Sequence, residues 1–223
     1  VQAQQDVRSM LYHLYSFSRE NTDLSPSPMG LSGLGYNGHT FWDTELFMYP
    51  PMLVLQPRIA KSMIDYRFNR LDAAKRNASL YGYKGAMYPW ESAATGTEES
   101  PVWALTGPFE HHITADVGIA AWNYYLVTQD KNWLKERGWP VLSETAAFWA
   151  SRVEQNEKGE YEIKNVVAAD EWAENVDNNA FTNAAAKMNL LYAHECATLL
   201  GIKGTDEWKT IADNIPIRKM ENG

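Results

Sequence analysis

The sequence has almost no cysteine. Cys196 is the only one in 223 residues, so no internal disulfide can form, and a lone cysteine on an apolar helix face is ordinarily core. It has no long apolar run either. Residues 52–55 are apolar, but Gln56 and Pro57 end the run far short of a bilayer span. A basic stripe is also missing. Lys and Arg number 20 against 28 Asp and Glu, for a net charge of -8 and a pI of about 5.2. That sign repels phosphate backbones, so neither nucleic acid nor a membrane is an expected partner. There is no Walker A motif. Gly33-Leu-Gly-Tyr-Asn-Gly38 matches G-x-G-x-x-G in form only, because Ser25-Pro-Ser-Pro28 stands where a strand is required. Metal-ligand spacing is absent too. His111 and His112 are adjacent, so their side chains should diverge, and His194-Glu195 lacks the second His of H-E-x-x-H. No metal and no other cofactor is expected. No signal-peptide pattern stands at Val1, and no initiator Met precedes it. The compartment therefore stays open, a periplasmic or secreted one included.

What the sequence does have is aromatic residues. Nine Trp and twelve Tyr help bring the aromatic share to 13%. Such rings serve a helical core, and they also stack on the flat C–H faces of sugars. The pattern is helical almost throughout. Val7, Met10, Leu14 and Phe17 form one stripe, and Ile64, Phe68, Leu71 and Ala74 a second. Leu142, Ala146, Trp149 and Val153 repeat the spacing, as do Ala185, Met188, Tyr192, Cys196 and Leu199. Residues 117–127 are apolar on nearly every side, which predicts a helix packed on both flanks. Pro140 should open a helix, residues 156–159 should turn, and residues 161–167 form the one candidate strand.

Three long polar, aromatic loops separate these helices, at residues 21–40, 81–113 and 155–179. Long loops in a compact domain are commonly functional. Six or seven helices alternating with such loops predict an all-α fold, an (α/α)6 barrel. A closed barrel needs twelve helices, so residues 1–223 should form about the first half of one catalytic domain. The inner helices on the open side should then expose an apolar face through Val117 and Trp122.

Two motifs carry candidate chemistry. Thr40 and Asp43 fit a capping box, and spacing alone favours that reading. The other reading makes Asp43 a carboxylate for paired sugar hydroxyls, beside a stacking Trp42. The run from Asp170 to Asn179 reads as a solvated acidic turn. Yet Trp172 and Phe181 sit among its acids, and desolvation by such neighbours would raise a carboxyl pKa toward that of a general acid. Asn77-Ala-Ser79 is a formal glycosylation sequon.

Four segments together resemble glycoside hydrolase family 65. They are Gly35-Tyr-Asn-Gly-His-Thr-Phe-Trp-Asp-Thr-Glu45, Tyr83-Lys-Gly-Ala-Met-Tyr-Pro-Trp-Glu91, His112-Ile-Thr-Ala-Asp116 and Asp170-Glu-Trp-Ala-Glu-Asn-Val-Asp-Asn-Asn-Ala-Phe-Thr-Asn183. The family includes maltose, kojibiose, trehalose and nigerose phosphorylases. It also includes hydrolases of kojibiose, trehalose and the glucosyl-galactosyl unit of hydroxylysine. The resemblance implies an (α/α)6 barrel, with Glu171 as general acid and Trp42 and Asp43 holding the non-reducing glucose. It places Trp90, Glu91 and His112 on motif positions that line the pocket, and Glu174 joins them as a substrate-binding candidate. The family's common Tyr-His after the acid is Trp172-Ala173 here, a departure on the aglycone side.

The expected reaction is inverting hydrolysis of an α-glucosidic bond in a disaccharide or glucosyl conjugate. The partner is then a kojibiose-, trehalose- or glucosyl-galactose-like substrate. Trp90-Glu-Ser-Ala93 with Thr95-Gly96, and Phe148-Trp-Ala-Ser-Arg-Val-Glu154, resemble the hydrolase branch. An inverting phosphorylase using inorganic phosphate is the alternative, and a non-catalytic carbohydrate-binding helical module is a second. The base or phosphate loop that separates the first two should lie in the later half of the barrel, which activity would need.

Overall fold

A computed structural model describes residues 1–219. The chain is all-α, and its helices build part of an (α/α)6 barrel. In order they are α1 (Gln2–Phe17), α2 (Tyr49–Leu55), α3 (Pro57–Asn69), α4 (Leu71–Leu80), α5 (Thr106–Phe109), α6 (His112–Thr128), α7 (Lys131–Trp133), α8 (Trp139–Arg152), α9 (Ala180–Leu200) and α10 (Asp206–Asn214). One short hairpin, β1 (Glu154–Gln155) with β2 (Tyr161–Glu162), closes antiparallel around residues 156–159. Local chemistry sets the helix ends. Asn179 caps α9 by accepting from Thr182 N at 3.0 Å, and Gly201 ends it at φ 71. Pro140 stands in the first turn of α8.

The centre of the fold is α6. Its Ala115, Trp122 and Tyr125 join a core with Leu142, Phe148 and Trp149 of α8, Leu190 and Cys196 of α9, and Ile211 of α10. Its Ile113, Val117, Ala121 and Tyr124 join a second core with Tyr49 and Met52 of α2 and Met63 and Ile64 of α3. Two cores on one helix explain why residues 117–127 are apolar all round, although Leu126 and Val127 at the end are exposed. They also overturn the expected open apolar face. Val117 is 0% exposed and Trp122 5%, because neighbours cover both flanks of α6.

Other expectations shift. The stripe through Ile64, Phe68, Leu71 and Ala74 is split between α3 and α4. The break falls at Arg70, with φ -110 and ψ 13. Its guanidinium lies 3.8 Å from the Tyr66 ring centroid and binds the Asp23 carboxylate. Tertiary capture of one long side chain thus outweighs local periodicity. The predicted strand shrinks to Tyr161–Glu162, and Ile163, Val166 and Val167 are buried in irregular chain. Met188 and Leu199 of the α9 stripe are exposed. The sequon is closed, since Asn77 is buried in α4 and donates to Met87 O at 3.0 Å. No described helix is long and apolar enough to cross a membrane.

Gly85 anchors the second long loop against α8. Its φ is +70, and a Cβ there would lie 2.2 Å from Glu144 O and 2.5 Å from Phe148 N. Only glycine permits that approach. The next residue, Ala86, donates its N–H to Glu144 O at 2.9 Å.

Candidate active site

The three long loops meet at a cleft of about 700 Å³. Each is held by short-range chemistry. The first turns through Tyr36 and Asn37, both in left-handed backbone at φ 56 and 52. It then pairs with the second loop, where Thr40 and Ser92 exchange backbone hydrogen bonds of 2.8 and 2.9 Å. Phe41-Trp42-Asp43 follow at once and lead into a π-helical turn, Thr44–Met48. Such turns are frequent at functional sites. Asp43 makes no side-chain cap hydrogen bond, and the Thr40 hydroxyl reaches toward Ser25 O instead. No capping box forms.

In the second loop the Glu98 carboxylate accepts from the backbone N–H groups of Trp90, Glu91 and Ser100, at 2.7, 3.1 and 3.0 Å. That clamp fixes Trp90 and Glu91 in the cleft wall. The Glu91 carboxylate shares a 2.7 Å hydrogen bond with His39 Nδ1. In the third loop an isolated bridge between Val166 and Val176 closes a short excursion. Asp170 Oδ1 accepts from Trp172 N at 3.2 Å, and Ala173 N donates to Asp170 O at 2.8 Å. This Asx-type turn puts Glu171 at its tip. The aspartate of the Asp-Glu pair therefore shapes the turn that presents the glutamate.

Six of the seven candidate residues share this cleft: Trp42, Asp43, Trp90, Glu91, Glu171 and Glu174. His112 does not reach it. Its fully buried ring lies beneath the wall, with centroids 4.7 Å from Trp42, 5.4 Å from Trp90 and 4.9 Å from Phe181. Trp42 and Trp90 stand 6.0 Å apart, tilted by 33°. The aromatic setting of Glu171 differs from expectation, because Trp172, although it lines the cleft, is 96% exposed and desolvates little.

The electrostatics follow from this placement. Partial burial raises the Glu171 pKa, the Asp43 charge adds to the rise, and His112 opposes it. Burial likewise raises Asp43. Below the floor, His112 Nδ1 and Asp116 Oδ2 share a 2.8 Å hydrogen bond, and His112 Nε2 and Glu110 Oε1 one of 3.0 Å. Burial disfavours the charged imidazole, but the bonds to Asp116 and Glu110 outweigh it and hold its pKa at about 9. Burial pushes Glu110 up to about 7 against the pull of His112. Next to it, burial and the Arg152 charge drive His111 down to about 3. The two histidines do diverge, since His111 bonds Pro108 O and Arg152 Nε. Behind Asp43, the buried pair Arg67–Glu45 is bidentate at 2.7 and 2.9 Å. Among the described residues no group of three or more His, Cys, Asp or Glu is arranged to hold a metal ion.

Sequence reasoning missed Tyr36, Asn37 and Trp103 on the cleft wall, and Glu98, His39 and Glu110 behind it. The spacing of His112 and Asp116, four apart on one helix face, was a readable signal for a pair. Nothing local marks Glu98 as a backbone clamp.

The helices thus form part of a barrel whose loops gather tryptophans and carboxyls in one cleft. The chain belongs to glycosyl hydrolase family 65, and residues 8–222 match that family's central catalytic domain. It is 72% identical over 222 residues to a kojibiose hydrolase of Flavobacterium johnsoniae, covering 100% of this chain and 33% of that protein. It is 44% identical over 224 residues to a kojibiose phosphorylase of Thermoanaerobacter brockii, covering 95% and 29%. A solved structure, of a candidate kojibiose phosphorylase from the human microbiome, superposes with a TM-score of 0.86. That match has 24% identity and covers 98% of this chain and 34% of the other, so it speaks to the fold alone. The chain spans about a third of the length of the curated relatives it matches.

Proposed function

We propose that the protein hydrolyses the α-glucosidic bond of kojibiose or a related glucosyl conjugate with inversion, and that Glu171 is the general acid. The observation that carries this reading is the Glu171 carboxyl, raised in pKa and set in one cleft with Asp43, Trp42 and Trp90. A raised carboxyl keeps its proton closer to neutral pH, which a general acid requires. Asp43 accepts from adjacent hydroxyls of the non-reducing glucose, and Trp42 and Trp90 offer its C–H faces a wall. Glu91, held by His39, and Glu174 supply further acceptors. Glu171 gives its proton to the glycosidic oxygen as the bond to the anomeric carbon breaks. A water attacks that carbon from the opposite face and loses its proton to a base. In inverting enzymes such carboxyl pairs stand roughly 6.5–9.5 Å apart. We assign the base to the part of the domain that lies in the other two thirds of the relatives' length.

The 72% identity to a kojibiose hydrolase supports hydrolysis. The 44% identity to a kojibiose phosphorylase keeps phosphorolysis as the second reading, with phosphate replacing the activated water. The test is to incubate full-length protein with kojibiose, with and without inorganic phosphate, and follow products by NMR. Hydrolysis gives β-glucose first, at the same rate without phosphate. Phosphorolysis gives β-glucose 1-phosphate and stops when phosphate is omitted. No turnover under either condition leaves a sugar-binding helical module.

A further inference from the structure

Beneath the cleft lies a line of charge that the chemistry above does not use. Glu110, His112 and Asp116 are 1%, 0% and 1% exposed. His112 gives both ring nitrogens to the flanking carboxylates. Asp116 in turn lies in the field of the buried Arg67, whose partner Glu45 also bears on Asp116. Two rings of the cleft wall, Trp42 and Trp90, rest directly on the imidazole. We propose that Asp116, His112 and Glu110 form a buried charge line that sets the proton affinity of Glu171, with His112 as a positioning residue rather than a sugar contact. This rests on the assignment of Glu171 as the acid.

Net stability is a weak reason for such a line. Desolvating three ionisable groups is costly, and apolar side chains of similar volume often do as well or better. Glu110 Oε2 moreover has no hydrogen-bond partner although it is buried. A carboxylate oxygen left unpaired at no gain to the fold invites a role for its charge. The geometry supplies one. Asp43, from the turn into α2, lines the same cleft as Glu171. His112 of α6 lies against Trp42 and Trp90 of that cleft and bears on the Glu171 charge, and Glu171 in turn bears on Glu110 from the turn before α6. Asp170 and Glu174 flank it on its own loop. His111 is the nearest further titratable group on that turn, and it stays neutral against Arg152. When Glu171 gives its proton to the leaving oxygen, a new anion appears beside Asp43. The His112 cation below offsets that anion, and Glu110 limits the offset once it ionises, near pH 7. His112 keeps its own protons throughout, and Glu171 regains its proton from solvent.

The line therefore contains charges of opposite sign that act on one acid, which makes it testable. The basic limb of the kcat/KM profile on kojibiose reports the acid in the free enzyme. In full-length protein, Glu110→Gln removes the negative charge that Glu110 carries above about pH 7 and should move the part of the limb above that pH to lower pH. His112→Gln removes the positive charge and should move it to higher pH. Each displacement should be at least about 0.5 pH unit, as expected for buried charges that are poorly screened by water. A purely structural role would lower rates at all pH values and leave the limb in place, and that result overturns the proposal. His112→Gln strands two buried carboxylates at a cost to folding; Glu110→Gln keeps the His112–Asp116 pair and decides the matter alone. α-Glucosyl fluoride, whose leaving group needs little protonation, should show a weakened limb in wild type and both variants. If Glu171→Gln retains kojibiose turnover, the acid assignment itself fails, which is a different outcome from an unmoved limb.

Discussion

At the scale of single residues, the roles separate by what each side chain touches. Glu171 lies open to the cleft, and its proton rather than its packing is what matters. Glu171→Gln should leave the melting temperature unchanged and cut turnover of kojibiose by roughly 100- to 10,000-fold, the usual worth of a general acid. An aryl glucoside or glucosyl fluoride should lose far less. Kinetics on both substrates check this, and equal losses would remove Glu171 from the acid role. Asp43 makes no cap hydrogen bond, so Asp43→Ala should spare the helix. It should weaken glucose binding by about 1.5–3 kcal/mol, the cost of removing a charged hydrogen-bond partner. Calorimetric titration with glucose, beside a thermal melt, tests both halves. An early melt with normal binding would restore the capping role. The identity of these residues was readable from the motifs. The placement of His112 under the wall was not, because a motif carries no depth.

At the scale of elements, the sequence spoke clearly where a helix packs by its own periodicity. Leu142, Ala146 and Trp149 of α8, Ala185 and Cys196 of α9, the opening proline of α8 and the hairpin turn at residues 156–159 lie where their patterns put them, while Met188 and Leu199 of the α9 stripe face solvent. It failed at Arg70, where side-chain capture splits one stripe between α3 and α4, and at residues 163–167, where Ile163, Val166 and Val167 are buried and only an isolated bridge from Val166 to Val176 forms in place of a strand. The junction of α6 with α9 is another feature that no local pattern marks. A Cβ on Gly118 would meet Asn189 Nδ2 at 2.2 Å and Thr145 Oγ1 at 3.0 Å. The missing side chain lets a buried amide of α9 sit against the α6 backbone. Gly118→Ala should destabilise by about 1–3 kcal/mol through overpacking. Urea unfolding should show a lower midpoint at unchanged slope, and an unshifted midpoint would mean that Asn189 moves aside freely.

At the scale of the whole molecule, the buried line links folding to pH. The His112 pKa is raised to about 9 and that of Glu110 to about 7. For a raised group, the contribution is complete below the unfolded pKa and disappears as pH climbs through the folded one. The Glu110 share should thus be lost by pH 7 and the His112 share between about 6.5 and 9. His111, lowered to about 3, works the other way and destabilises on acidification. The melting temperature of the full-length protein should therefore fall as pH rises from 7 to 9. His112→Gln should flatten that fall, or the linkage is carried elsewhere. The reaction belongs to this scale too. Val1–Gly223 expressed alone should not turn over kojibiose, because we place the base in the remainder of the relatives' length. Measurable turnover by that polypeptide would refute the assignment.

The sequence by itself determined the helical periodicity, the three long loops and the residue types that meet in the cleft. Periodicity and capping act over a few neighbours, and motif spacing preserves residue identity, so both can be read along the chain. Tertiary structure alone decided which elements cover the two flanks of α6, α8 and α9 on one side and α2 and α3 on the other. It also decided that Glu98 clamps the backbone of Trp90 and Glu91, and that His112 sits below the wall between two carboxylates. Those outcomes depend on desolvation and charge, which follow from how deep a group lies and what faces it across space. Such quantities exist only once distant segments have packed together.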